Sequence, residues 1–190
     1  MKVLSWAVVF ITIILFNISP TPCSILQSHV PDQRIIIKNL MLDYMEKYSG
    51  KRIPELADAI LDSGRGDIDV AFLLVAIAHQ ETHFRSRKGR AGERGYFQVM
   101  PWVAHSMYPG LTRKQVIHLL ETDLLFQADT ARAIILDHYN RLKTWPKALF
   151  AYNRSQRYVK SVLLKKHLMM FLFTTKKDLT SSIGYGNISV

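Results

Sequence analysis

The chain has 190 residues, with 25 Lys and Arg against 15 Asp and Glu and a formal net charge of +10. That length suffices for one domain with a real core, and the basic balance favours a polyanionic partner: nucleic acid, anionic lipid or an acidic cell-wall polymer. The single cysteine, Cys23, excludes an intrachain disulfide. The sequence carries neither a helix-turn-helix nor an aromatic-basic RNA signature, so nucleic acid is not the expected partner.

In chain order, Lys2 is followed by an apolar run from Val3 to Phe16 and then by "NISPTPCS". A charged start, an apolar stretch and a turn-prone end read as a secretory signal peptide over residues 1–24. The run is shorter than the ~20 residues of a membrane span, and an uncleaved anchor is the rival reading. A lipidated Cys23 is a further rival, but "PTP" before it departs from the usual small-apolar pattern. The expected location is the periplasm or cell envelope, with membrane anchoring through the N-terminus as the alternative.

The remainder, residues 30–172, reads as one mostly α domain. "RIIIKNLMLDYMEKYSG" is amphipathic and closes on Gly50, and "PELADAILDSG" opens on Pro54 and ends at Gly64. "DIDVAFLLVAIAHQETHF" takes Asp67 or Asp69 as N-cap and is apolar on all sides from Val70 to Ala78, the pattern of a central buried helix. A glycine-punctuated loop, "SRKGRAGERGYFQVMPW", follows, with a short β excursion expected at Tyr96–Val99. Thr112 and Gln115 form a capping-box pattern before a helix through Leu120. Further helices are expected from Leu124 to Leu142 and from about Pro146. Residues 173–190 are expected to form a polar, mobile tail.

His79 and His83 stand four apart, a spacing that lets two imidazoles share a metal on a helix. The zinc-protease pattern places its glutamate directly after the first histidine; here Glu81 is two positions on. At ~100° per residue Glu81 lies on nearly the opposite face from His79. His105, His118, His138 and His167 supply no recognisable third ligand, so no metal and no cofactor is expected.

Glu81 instead continues the apolar stripe of Leu74, Ile77 and Ala78, with Phe84 three residues later. Desolvation there raises a carboxyl pKa, which is what a general acid requires. Position alone leaves a solvated helix-end glutamate as the competing reading.

Three stretches in order then carry a resemblance: Gln80, Glu81 and Phe84; Gly95, Gln98, Met100, Pro101 and Ala104; and Ala151, Tyr152 and Asn153. Over about Val70 to Val162 they resemble the soluble lytic transglycosylase family, whose fold is the lysozyme-like one shared with goose-type lysozymes. Thr82, Tyr96 and Phe97 depart from its pattern, Gly89 stands where a serine is frequent, and "AYNRS" replaces "AYNAG".

The resemblance implies a lysozyme-like domain that cleaves the β-1,4 bond between N-acetylmuramic acid and N-acetylglucosamine in peptidoglycan. It implies Glu81 as the single catalytic acid and then base, with a 1,6-anhydromuramoyl product. Tyr152 would sit beside Glu81 and the sugar, Asn153 would support its turn, Gln98 and Met100 would line the glycan groove, and Thr82 would orient Glu81 or bind substrate. Glu93 is a candidate second carboxylate, although an exposed loop charge is its plainer reading; Glu121 and Asp123 read as surface charges. The rivals are a hydrolytic lysozyme on the same fold and a glycan-binding subunit without turnover. Enzymes of this kind work beside a secretion or conjugation apparatus, in wall turnover or in phage, and the residues leave these open.

Overall fold

A computed structural model describes residues 33–184, with side chains as far as 179. The expected signal segment, the anchor alternative and Cys23 lie outside the described residues. Within them the chain is mostly α: α1 Gln33–Ser49, α2 Pro54–Gly64, α3 Ile68–Thr82, α4 Pro101–Met107, α5 Arg113–Thr122, α6 Leu124–Leu142, α7 Trp145–Asn153 and α8 Gln156–Gly184. Two short strands, β1 Arg87–Lys88 and β2 Arg94–Gly95, pair antiparallel between α3 and α4.

Local chemistry sets these boundaries. Asp67 caps α3, its side chain accepting from Val70 N at 3.1 Å, worth about 1 kcal/mol. Thr112 and Gln115 make the full capping box of α5. Asp123 caps α6, so it is a structural residue rather than a bystander surface charge. Gly50, at φ +72°, ends α1 with its N–H on the Glu46 carbonyl.

Helix α3 is the centre. Every residue from Val70 to His79 is buried, enclosed by α1, α2, α6 and α8. Helix α8 covers its length. Tyr158, Val159, Val162, Lys166, Met169 and Phe173 form one buried stripe at the three- and four-residue spacing of a single helix face. Gln80 meets Ser161 near one end of the contact, and Phe72 meets Phe173 edge-on at 6.0 Å near the other. The two helices therefore run in opposite directions.

Two expectations change. The stretch expected to be a polar tail continues α8 from Thr174 to Gly184, just beyond the buried Met169 and Phe173, and residues 185–190 lie outside the described residues. The β excursion lies at 87–88 and 94–95 rather than Tyr96–Val99, where only Val99 makes an isolated bridge to Arg94. Gly95 explains the shift: its φ is +77°, and an added Cβ would stand 2.7 Å from the Leu120 carbonyl. Only glycine lets β2 lie this close to α5.

Candidate active site

Glu81 sits in the last turn of α3, where the helix stops abruptly. His83 and Phe84 both adopt left-handed backbone, at φ 52° and 57°, and Phe84 turns back into the core. The loop that follows is fastened to three helices. Thr82 Oγ1 of α3 donates to the Ala78 and Tyr96 carbonyls at 2.9 and 3.0 Å. Gln127 of α6 accepts from Tyr96 N at 2.9 Å. Tyr152 of α7 donates its hydroxyl to the Phe97 carbonyl at 3.0 Å. Buried bonds of this kind fix a loop because breaking one strands a polar group away from water.

Thus Thr82 is a buried anchor with its hydroxyl committed to main chain, and it does not line the cleft. Gln98 does line it, with Nε2 bonded to the Arg87 and Gly95 carbonyls. Gln98 and Glu93 close in on Gly89, where a Cβ would stand 2.1 Å from Glu93 Oε2. Met100 and Tyr152 complete the wall beside them.

Two arms of one cleft meet at Glu81 and Asn153. The larger, about 820 Å³, holds Glu81, Glu93, Gln98, Met100, Tyr152 and Asn153, with a basic rim of Arg87, Lys88, Arg90 and Arg154. The smaller, about 310 Å³, lies on the α8 side and is lined by Gln80, Ser155, Arg157, Tyr158 and Ser161 in addition to the shared pair.

Burial pushes the Glu81 carboxyl above the usual carboxylate range; Tyr158 and Asn153 oppose the rise, Glu93 adds to it and Arg87 pulls against it. Asn153 Nδ2 donates to Glu81 Oε1 at 3.3 Å, and Arg87 donates to the Glu81 main-chain carbonyl at 2.8 Å. The Tyr158 hydroxyl lies close enough to favour the carboxylate form but makes no hydrogen bond of full length and angle. Burial first, and then Glu81, raises the pKa of Tyr152, so both tyrosines stay neutral beside the acid. A carboxyl held protonated beyond its usual range, beside donors that steady its anion, is equipped to give a proton and take one back.

The structure brings Glu81, Gln98, Met100, Tyr152 and Asn153 together and leaves Thr82 behind the wall. Asn153, expected to support its own turn, reaches the acid itself. Glu93 faces the cleft rather than open solvent, while Glu121 leaves the site to pair with Arg94 at 2.7 Å. Tyr158 and Arg87 are absent from the sequence-based set. Tyr158 was signalled only by its place as the first apolar residue of α8, five positions after Asn153.

The histidine pair stands apart. His79 Nδ1 is 2.8 Å from the Tyr44 hydroxyl, and its pKa is lowered to about 4 by burial, then by Lys165 and His83. Among the described residues no three His, Cys, Asp or Glu side chains converge as a metal site. No family model, curated protein or solved structure matches this chain.

Proposed function

We propose that the chain is a peptidoglycan lytic transglycosylase with a lysozyme-like domain and Glu81 as its one acid–base residue. The observation that carries this reading is the Glu81 carboxyl itself: raised by burial, bonded by Asn153, and standing where both arms of the cleft meet. A strand of sugars laid through both arms would cross Glu81 at one glycosidic oxygen.

Glu81 donates its proton to that oxygen, and the C1–O4 bond between muramoyl and glucosaminyl sugars breaks. The muramoyl C6 hydroxyl then attacks C1 and returns its proton to the Glu81 carboxylate. The product is a 1,6-anhydromuramoyl end, no water is consumed, and the acid is regenerated. The internal nucleophile carries the entropic advantage of proximity. Asn153 and Tyr158 stabilise the carboxylate between the two proton transfers. The basic rim attracts an anionic wall polymer, and the site of action is the cell envelope.

Glu93 supports a second reading, a hydrolytic muramidase, because its carboxylate lines the same arm as Glu81 and two facing carboxyls suit activation of a water. Mass spectrometry of digested sacculi separates the two. Anhydromuramoyl ends support the transglycosylase; reducing muramoyl ends alone replace it with the muramidase. Release of muropeptides by Glu81→Gln at the wild-type rate overturns both.

A further inference from the structure

The smaller arm is lined by one cation, Arg157, and a second, Lys165, stands behind two of its lining residues. Lys165 Nζ donates to Gln80 Oε1 at 2.7 Å and to the Ser161 hydroxyl, both neutral groups that line the arm or adjoin it. Ser161 Oγ donates to the same Gln80 oxygen at 2.6 Å. Arg157 lines the arm. Among the described residues no carboxylate lies within ion-pair distance of Lys165 or Arg157.

Several cations elsewhere in the helical body are matched. Lys166, next in sequence, is buried against Asp69 at 2.6 Å, and Lys38, Arg52, Arg94 and Arg141 each have a carboxylate. Lys165 is partly desolvated, which lowers its pKa. A half-buried ammonium held only by neutral acceptors gains most from an incoming anion. The Tyr158 hydroxyl, in a side chain only 5 % exposed, lines the same arm without a full hydrogen bond. It stands at the junction with Glu81, close enough to favour that carboxylate.

We infer that the smaller arm is an anion-reading subsite, in which Arg157, Lys165 and Ser161 take a carboxylate carried by the glycan beside the bond that Glu81 cleaves. The inference rests on the glycan reading above and deepens it: the enzyme distinguishes acid-bearing sugars from neutral ones on the α8 side of the acid. The larger arm sets Arg87, Lys88, Arg90 and Arg154 beside two carboxylates, Glu81 and Glu93.

The test uses the full chain carrying Glu81→Gln, so that ligands persist. Calorimetric titration compares three probes: glycan strands stripped of peptide, which keep a free lactyl carboxylate; chito-oligosaccharides of equal length, which have none; and inorganic phosphate. Stripped strands are expected to bind roughly tenfold or more tighter than the neutral oligomer, the scale of one or two charge-assisted hydrogen bonds. Adding R157Q and K165Q should abolish that preference while neutral binding stays the same. Arg157→Lys, which keeps the charge, should retain most of it.

Equal affinity for the two glycans, or a preference that survives R157Q/K165Q in a protein of unchanged circular dichroism, overturns the subsite. Displacement of stripped strands by millimolar phosphate overturns the carboxylate assignment in favour of a general anion site. If wild type cleaves neither glycan yet the carboxylate preference holds, the catalytic reading falls and the subsite stands. If cleavage occurs without preference, the reverse follows.

Discussion

The Asn153 amide and the Glu81 carboxyl, 72 residues apart in sequence, meet at 3.3 Å where the two arms of the cleft join. This contact brings the end of α7 onto the end of α3 and sets the acid's environment. Removing the donor in Asn153→Ala leaves burial less opposed, so the Glu81 pKa should climb further. The descending limb of the kcat/KM–pH profile should move to higher pH, with kcat reduced because the carboxylate intermediate loses a partner. An unmoved limb would detach Asn153 from the acid.

Glu81→Gln should lower glycan cleavage by at least ~10²-fold, the usual contribution of a positioned general acid. Its stability should move the other way. A carboxyl whose pKa rises on folding contributes stability below its ordinary pKa and loses it as pH climbs through the raised value. The glutamine does not ionise, so its melting temperature at neutral pH should equal or exceed that of wild type. Paired activity and thermal-melt measurements check both signs.

His79 gives an opposite pH signature from the core behind the smaller arm, beside Lys165. Its pKa falls from the ordinary 6.5 to about 4 on folding. The unfolded chain therefore binds the extra proton first, and stability present above pH 6.5 is lost as pH drops toward about 4. Urea unfolding across that window should show the loss in wild type and a shallower one in His79→Gln. The substitution should leave the pH limb assigned to Glu81 in place.

Thr82→Val keeps shape but removes the hydroxyl that ties α3 to the Tyr96 carbonyl. A loss of about 1–3 kcal/mol is expected from leaving buried acceptors short of a donor. Because that tie positions the Gln98 wall, kcat should fall more than KM rises, measured on soluble glycan fragments.

Gly95→Ala should cost more than an ordinary loop substitution, about 2–4 kcal/mol, since it combines a disfavoured positive φ with overpacking against α5. A melting temperature within a degree or two of wild type would show that β2 can withdraw from Leu120.

Much of the frame was legible in sequence because its signals are local. Asp67, Thr112 with Gln115, and Gly50 each announce a helix boundary within four residues. The unbroken apolar run from Val70 to Ala78 marks the central helix, and Glu81 stood out by continuing its stripe. What stayed hidden depends on distant partners. Lys166 breaks the apolar pattern of α8, so the helix beyond Asn153 read poorly; the Asp69 carboxylate, 97 residues away, and the Trp145 ring make that lysine a core residue. Tyr158 fell with it. Gly95 reads as a loop glycine until α5 is placed against it, and Asn153 as a turn residue until α3 ends beside it.

Helix α8 starts at the acid with Tyr158 and ends its buried stripe at Phe173 against Phe72. One continuous rod thus ties the smaller arm to the opposite end of the domain. The part of that arm's wall carried by α8, Arg157, Tyr158 and Ser161, lies within one helix, so moving it would require peeling α8 from α3. Amide protons of α3 and of α8 from Tyr158 to Met169 should therefore exchange together, near the rate of global unfolding. On that side sugars would pass a helical wall, and the give of the site would come from the loop between Arg85 and Gln98 and from the turn at 154–155.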